Sequence, residues 1–77
     1  MTPGAARNRA RSAKSFSGQR LKARREELGL SQEALAVRID YTRAQISAVE
    51  RGIAAPSMRF LDRVTAALEI DVVDLWA

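Results

Sequence analysis

The sequence predicts an all-α fold, one small domain of five helices preceded by a disordered basic arm. Three observations predict it. Apolar residues recur three and four positions apart from Leu21 to Leu68, and no stretch alternates as a half-buried strand would. Four of the five segments with that spacing are preceded by Ser, Thr or Asp, the side chains that cap helix N-termini. The length of 77 residues, with 47% apolar but only 5% aromatic, suits a single domain with a thin aliphatic core.

Residues 1–16 are rich in Ala, Arg, Ser, Gly and Pro and cannot bury enough surface to repay their ordering entropy, so they read as disordered. The folded part is residues 17–77. A first helix, about 17–28, buries Leu21 and Leu28 with Arg25 on the same face and stops at Gly29. The second, 32–39, is capped by Ser31 and places Leu35, Ala36 and Ile39 on one side. After Asp40 and Tyr41, Thr42 caps a third helix, 43–51, whose Ile46 and Val49 face inward and which Gly52 ends in a left-handed stop. Ala36 is small where two helices joined by so short a turn must approach, which favours a steep crossing and lets the third helix face outward. The fourth helix, 58–68, follows Pro56 with Ser57 as cap and carries the stripe Phe60, Leu61, Val64, Ala67 and Leu68. The fifth, 72–76, is a short turn or two with Asp71 as cap, Asp74 at the third position, and Leu75 and Trp76 pointing back.

Composition removes most chemistries. With no cysteine and no histidine there is no disulfide, thiolate metal site or imidazole base, and the Ser, Asp and Glu residues are accounted for as caps and solvated faces. No enzyme, cofactor or metal is expected. No apolar run approaches the roughly 20 residues of a membrane span, and no secretory signal is visible, so the chain reads as cytoplasmic. The net charge of +4 sits entirely in the arm: Arg7, Arg9, Arg11 and Lys14 face no acid, while residues 17–77 hold nine bases and nine acids. Positions 20–51 carry seven bases against five acids and positions 52–77 two against four, which orients the molecule towards a polyanion.

From about Phe16 to the C-terminus the chain resembles the phage-repressor and Cro type of helix-turn-helix family, the lambda-repressor-like domains. The resemblance is carried by Leu21 and Arg25 before Gly29, by LSQEALA, by the T-x-x-x-I-S-x-V-E-R-G run from Thr42 to Gly52, by Pro56-Ser57 and by LEIDVVDLW. Two positions depart from it: Asp40 and Glu69 stand where the family often has Gly. The resemblance implies DNA binding, with the third helix as the recognition helix.

On a helical wheel the buried Ile46 and Val49 turn Ala44, Ser47, Ala48 and Arg51 outward, with Arg43 and Gln45 at the flanks. Small residues let the helix sink into a major groove. Arg43 can reach O6 and N7 of a guanine, Gln45 a base or a phosphate, and Ala44 a thymine methyl group. By resemblance the Gln32 amide grips a phosphate at the second helix N-terminus, Ser47 and Arg51 grip the other side of the groove, and Arg25 and Glu50 form a structural ion pair. The arm reads either as a solubilising tail or as a segment lying along DNA. Val72, Val73 and Trp76 form an apolar terminal surface with two readings: a dimer contact, with Ile53 and Ala54 nearby, or closure of the core by Trp76 beneath Leu61 and Val64.

These features predict a sequence-specific regulator of transcription, a repressor or autoregulator that binds double-stranded DNA as a homodimer on a palindromic operator. The alternative is a protein-interaction module on the same fold, such as an antitoxin or coactivator, which needs neither Arg43 nor the arm.

Overall fold

A computed structural model describes residues 15–77 and places four α-helices in order: α1 (Gly18–Glu27), α2 (Gln32–Ile39), α3 (Arg43–Glu50) and α4 (Met58–Leu68). A single 3-10 turn, Val72–Leu75, stands in place of the fifth helix. Four residues between Asp71 and the extended Trp76 are too few for an α-helical nucleus, and Asp74 turns its carboxylate back to accept from the Asp71 N–H at 3.1 Å.

Every α-helix opens on a hydroxyl. Ser17, Ser31, Thr42 and Ser57 accept from the backbone N–H three residues on, at 3.2, 3.0, 3.1 and 3.1 Å. The first helix ends one residue early: Leu28 is its C-cap and is 39% exposed, correcting the expectation that it is buried. Gly29 turns left-handed there (φ 70°), and Leu30 packs against the core instead.

Two helix ends lack that glycine. Asp40 ends α2 at φ 61° and Glu69 ends α4 at φ 56°, so the fourth helix stops where the apolar stripe does in spite of the departure at Glu69. At both ends an arginine from another helix bonds the last helical carbonyl: Arg63 Nη1 donates to Ile39 O and Arg24 Nε to Leu68 O, each at 2.9 Å. These bonds satisfy carbonyls that the helix leaves open and so hold a left-handed residue that carries a Cβ. Glu69→Gly is therefore expected to stabilise the domain by about 1 kcal/mol, since the left-handed cost disappears and the Arg24 bond remains. Thermal melting monitored by circular dichroism checks it. A lower melting temperature would show that the Glu69 side chain contributes more than its backbone conformation costs.

The core joins all four helices and the terminal turn: Leu21 from α1, Leu35, Ala36 and Ile39 from α2, Ile46 and Val49 from α3, Phe60, Leu61, Val64 and Leu68 from α4, and Leu75. Ala36 is 3% exposed, and the Tyr41 N–H reaches its carbonyl at 2.9 Å, which closes the turn between α2 and α3. Tyr41 then lays its ring edge-on against Phe60, with centroids 5.2 Å apart.

The folded unit starts before residue 17. Ser15 and Ala77 exchange backbone hydrogen bonds at 3.4 and 3.0 Å, Ser17 N donates to Leu75 O at 2.7 Å, and the Phe16 and Trp76 rings meet edge to face at 5.7 Å. Phe16, read as part of the arm, thus belongs to the domain. No helix among the described residues is long and apolar enough to cross a membrane.

Candidate nucleic-acid interface

Burial of Ile46, Val49 and Glu50 fixes the roll of α3 and leaves Arg43, Ala44, Gln45 and Arg51 exposed, with Ser47 and Ala48 half-buried. The outward face is thus small-chained along its middle with an arginine at each end; the wheel places Ser47 and Ala48 outward, and packing half-buries both. Gln45 has a second task. Its Oε1 accepts from the Thr42 N–H at 2.8 Å while Thr42 Oγ1 accepts from the Gln45 N–H, a reciprocal capping box. The carbonyl half of the Gln45 amide is used in the fold, and the amino half remains for a ligand. The T-x-x-Q spacing carried that signal in the sequence.

Behind this face lies the buried pair. Arg25 and Glu50 are 6% and 7% exposed and meet through two bonds, Nε to Oε2 at 2.6 Å and Nη2 to Oε1 at 2.9 Å. Arg25 Nη1 also donates to Leu30 O at 2.7 Å. The hydrogen bond to Glu50 raises the Arg25 pKa above its ordinary value, against the opposing effect of burial. Because the folded value lies above the unfolded one, this stabilisation is fully present below the unfolded arginine range and so throughout physiological pH.

Gln32 joins the same network, its Nε2 donating to Glu50 Oε1 at 3.0 Å. One of its two amide hydrogens is therefore engaged, and the network that orients Gln32 runs back to α1. Gln32, at the start of α2, lines a cleft of about 530 Å³. Across it stands Arg51, beside Gln19 and Lys22 of α1. The cleft exists because α1 begins against the end of α3: a Cβ at Gly18 would overlap the carbonyls of Val49 and Glu50. Gln19 and Lys22 were not singled out from the sequence. On a wheel they are ordinary solvated residues, and only the abutment at Gly18 brings them to Arg51. The Glu50 carboxylate, also at this cleft, is neutralised by Arg25, so the balance of charge there favours an anion.

The remaining expected residues separate. Val72 and Val73 are 46% and 62% exposed, whereas Trp76 is half-buried on Phe16. A groove of about 330 Å³ between α4 and the terminal turn brings Met58, itself 75% exposed, into line with Val72 and Trp76. Ile53 and Ala54 are exposed in the loop before α4. Arg7, Arg9, Arg11 and Lys14 lie outside the described residues.

A helix-turn-helix family model matches residues 21–75. The chain is 38% identical over 56 residues to the HTH-type transcriptional regulator SinR of Bacillus subtilis, a match covering 71% of this chain and 50% of SinR. It thus spans about half the length of that relative. In structure it is similar to the restriction-modification controller protein C.AhdI of Aeromonas hydrophila, with TM-score 0.72 and 38% identity over 75% of this chain and 88% of that one. It is similar also to the P22 c2 repressor in complex with a synthetic operator, with TM-score 0.74 and 30% identity over 79% and 92% of the two chains.

Proposed function

Since this chain belongs to the helix-turn-helix family, we propose that it is a cytoplasmic regulator of transcription that binds double-stranded DNA with α3 in the major groove. One observation carries the reading: the outward face of α3 offers Arg43, Ala44 and the amino half of Gln45 at its leading end, and Arg51, just past its other end, lines an anion-suited cleft. Arg43 reads a guanine, Ala44 and Gln45 a neighbouring pair, and Gln32, Ser47 and Arg51 hold phosphates, with Gln19 and Lys22 added at the cleft. The arm adds four cations to the salt-dependent part of binding. The relatives support this chemistry, for the P22 c2 repressor is bound to an operator and SinR is a transcriptional regulator by name.

A single domain with three base-reading side chains discriminates weakly, so the regulator acts as a homodimer on a palindromic operator, as a repressor or autoregulator. Val72 and Val73, with the half-buried Trp76 and with Met58 from the groove that Val72 and Trp76 line, form the contact between subunits. Selection of bound duplexes from a random pool tests the function and is expected to enrich half-sites whose centres lie about 10 base pairs apart. A pool that stays unenriched overturns it. Sedimentation of Val73→Lys tests the contact: the variant is expected to remain folded but monomeric and to lose cooperative binding. A dimer at micromolar concentration refutes that surface.

A further inference from the structure

Three residues on one face of α1 meet the end of α3 in turn. Gly18 abuts the Val49 and Glu50 carbonyls, Arg25 binds the Glu50 carboxylate, and Lys22 stands between them at helical spacing. That face sets Lys22 on the wall of the cleft of about 530 Å³ that Gln32 and Arg51 also line. The two cations differ in what they can do there. A guanidinium stays charged and holds an anion, whereas an amine that gives up its proton is a nucleophile. Lys22 is exposed and forms no salt bridge among the described residues, so nothing holds its amine away from the cleft. Ser17, the other nucleophile on the wall, is half-buried and caps α1 with its hydroxyl.

An anion-suited cleft with an amine on its wall is the arrangement that acylates the amine from a small acyl phosphate. We infer that Lys22 is an acylation site, that Arg51 and the second amide hydrogen of Gln32 hold the phosphate of the donor, and that acylation weakens DNA binding. The step balances between donor and amine. The neutral Nζ attacks the acyl carbon, an N–C bond forms as the C–O bond of the mixed anhydride breaks, phosphate leaves, and the surplus proton on nitrogen passes to water. A held phosphate places the acyl carbon beside the amine, an advantage of proximity that a lysine elsewhere on the surface lacks. A thioester such as acetyl-coenzyme A carries its phosphates far from its carbonyl and gains nothing from the cleft. The product has lost one positive charge at a place assigned to DNA phosphates. The inference rests on the reading of this cleft as a phosphate site and goes beyond it, because the cleft then takes either DNA or the acyl donor.

The test incubates the intact chain with acetyl phosphate and follows acetylation of Lys22 and of Lys14, the other lysine of the chain, by peptide mass spectrometry. Lys22 is expected to react faster by about fivefold or more. Excess inorganic phosphate, and separately Arg51→Gln at its exposed position, are expected to bring Lys22 down to the Lys14 rate, the variant melting as the parent does. Acetyl-coenzyme A is expected to acetylate the two lysines alike. Protein acetylated at Lys22, like Lys22→Gln, is expected to bind the selected duplex more weakly, with a salt slope lower by about 0.9, the share of one phosphate contact. Equal rates at the two lysines overturn the site, as does a Lys22 rate that ignores either phosphate or Arg51→Gln. A parental slope and affinity in Lys22→Gln overturn the effect on binding. A chain that enriches a duplex but acetylates both lysines alike loses the site and keeps the DNA-binding reading. One that acetylates Lys22 selectively but enriches no duplex keeps the site and loses that reading.

Discussion

Glu50→Ala is expected to lower the melting temperature by about 15 °C and to weaken binding to the selected duplex as well. Removing one partner of a buried ion pair costs about 3 kcal/mol or more, and a domain of this size shifts by about 4–8 °C per kcal/mol. Among the described residues, Arg25 would be left with the Leu30 carbonyl as its one remaining acceptor in a site where it is 6% exposed. Binding suffers through a separate route, because Gln32 Nε2 loses the carboxylate oxygen that orients its amide over the cleft. The double variant Arg25→Met with Glu50→Leu separates the two effects. Replacing both charges by apolar side chains of similar size is often neutral or stabilising, so the double variant should recover most of the melting temperature and little of the affinity. A Glu50→Ala protein that melts like the parent would place the pair in solvent and contradict its burial.

Arg43→Ala is expected to erase the preference for the selected duplex, by about tenfold to a hundredfold, while binding to random duplex stays largely intact. A bidentate arginine–guanine contact carries about 1–3 kcal/mol of discrimination, whereas phosphate contacts carry affinity without sequence information. Arg43 is exposed at the first position of α3 and outside the capping box formed by Thr42 and Gln45, so its removal leaves the helix start in place. Parallel titrations against the selected and a scrambled duplex measure the ratio. Equal losses on both would make Arg43 a phosphate ligand and move sequence reading elsewhere on the helix.

Much of the molecule was legible before any coordinates. The caps at Ser31, Thr42 and Ser57, the stops at Gly29 and Gly52, and the buried faces of α2, α3 and α4 all follow from spacing along one helix at a time. Such features depend on residues three or four apart, and a wheel represents those correctly. The pairing of Arg25 with Glu50 was legible in a different way, through resemblance, since two charges on apolar faces in different helices carry no local sign of each other.

Contacts between distant segments were not legible. The edge-to-face contact of Phe16 with Trp76 half-buries Trp76, and no pattern within either segment announces it. The arginines that bond the open carbonyls of α2 and α4 come from 24 and 44 residues away. Without them, Asp40 and Glu69 read only as departures from glycine.

The sequence by itself determined the four α-helices to within a residue at each end, the apolar faces of α2, α3 and α4, and that the third helix has an outward face of small residues led by Arg43. Each is a short-range consequence of side-chain spacing and capping chemistry. Only the tertiary structure decided what that face lies beside: a cationic cleft where Gly18 lets α1 meet the end of α3, and an apolar groove where the loop folds back onto Ala48. Both are made by surfaces far apart in sequence, whose approach is set by how the whole core packs.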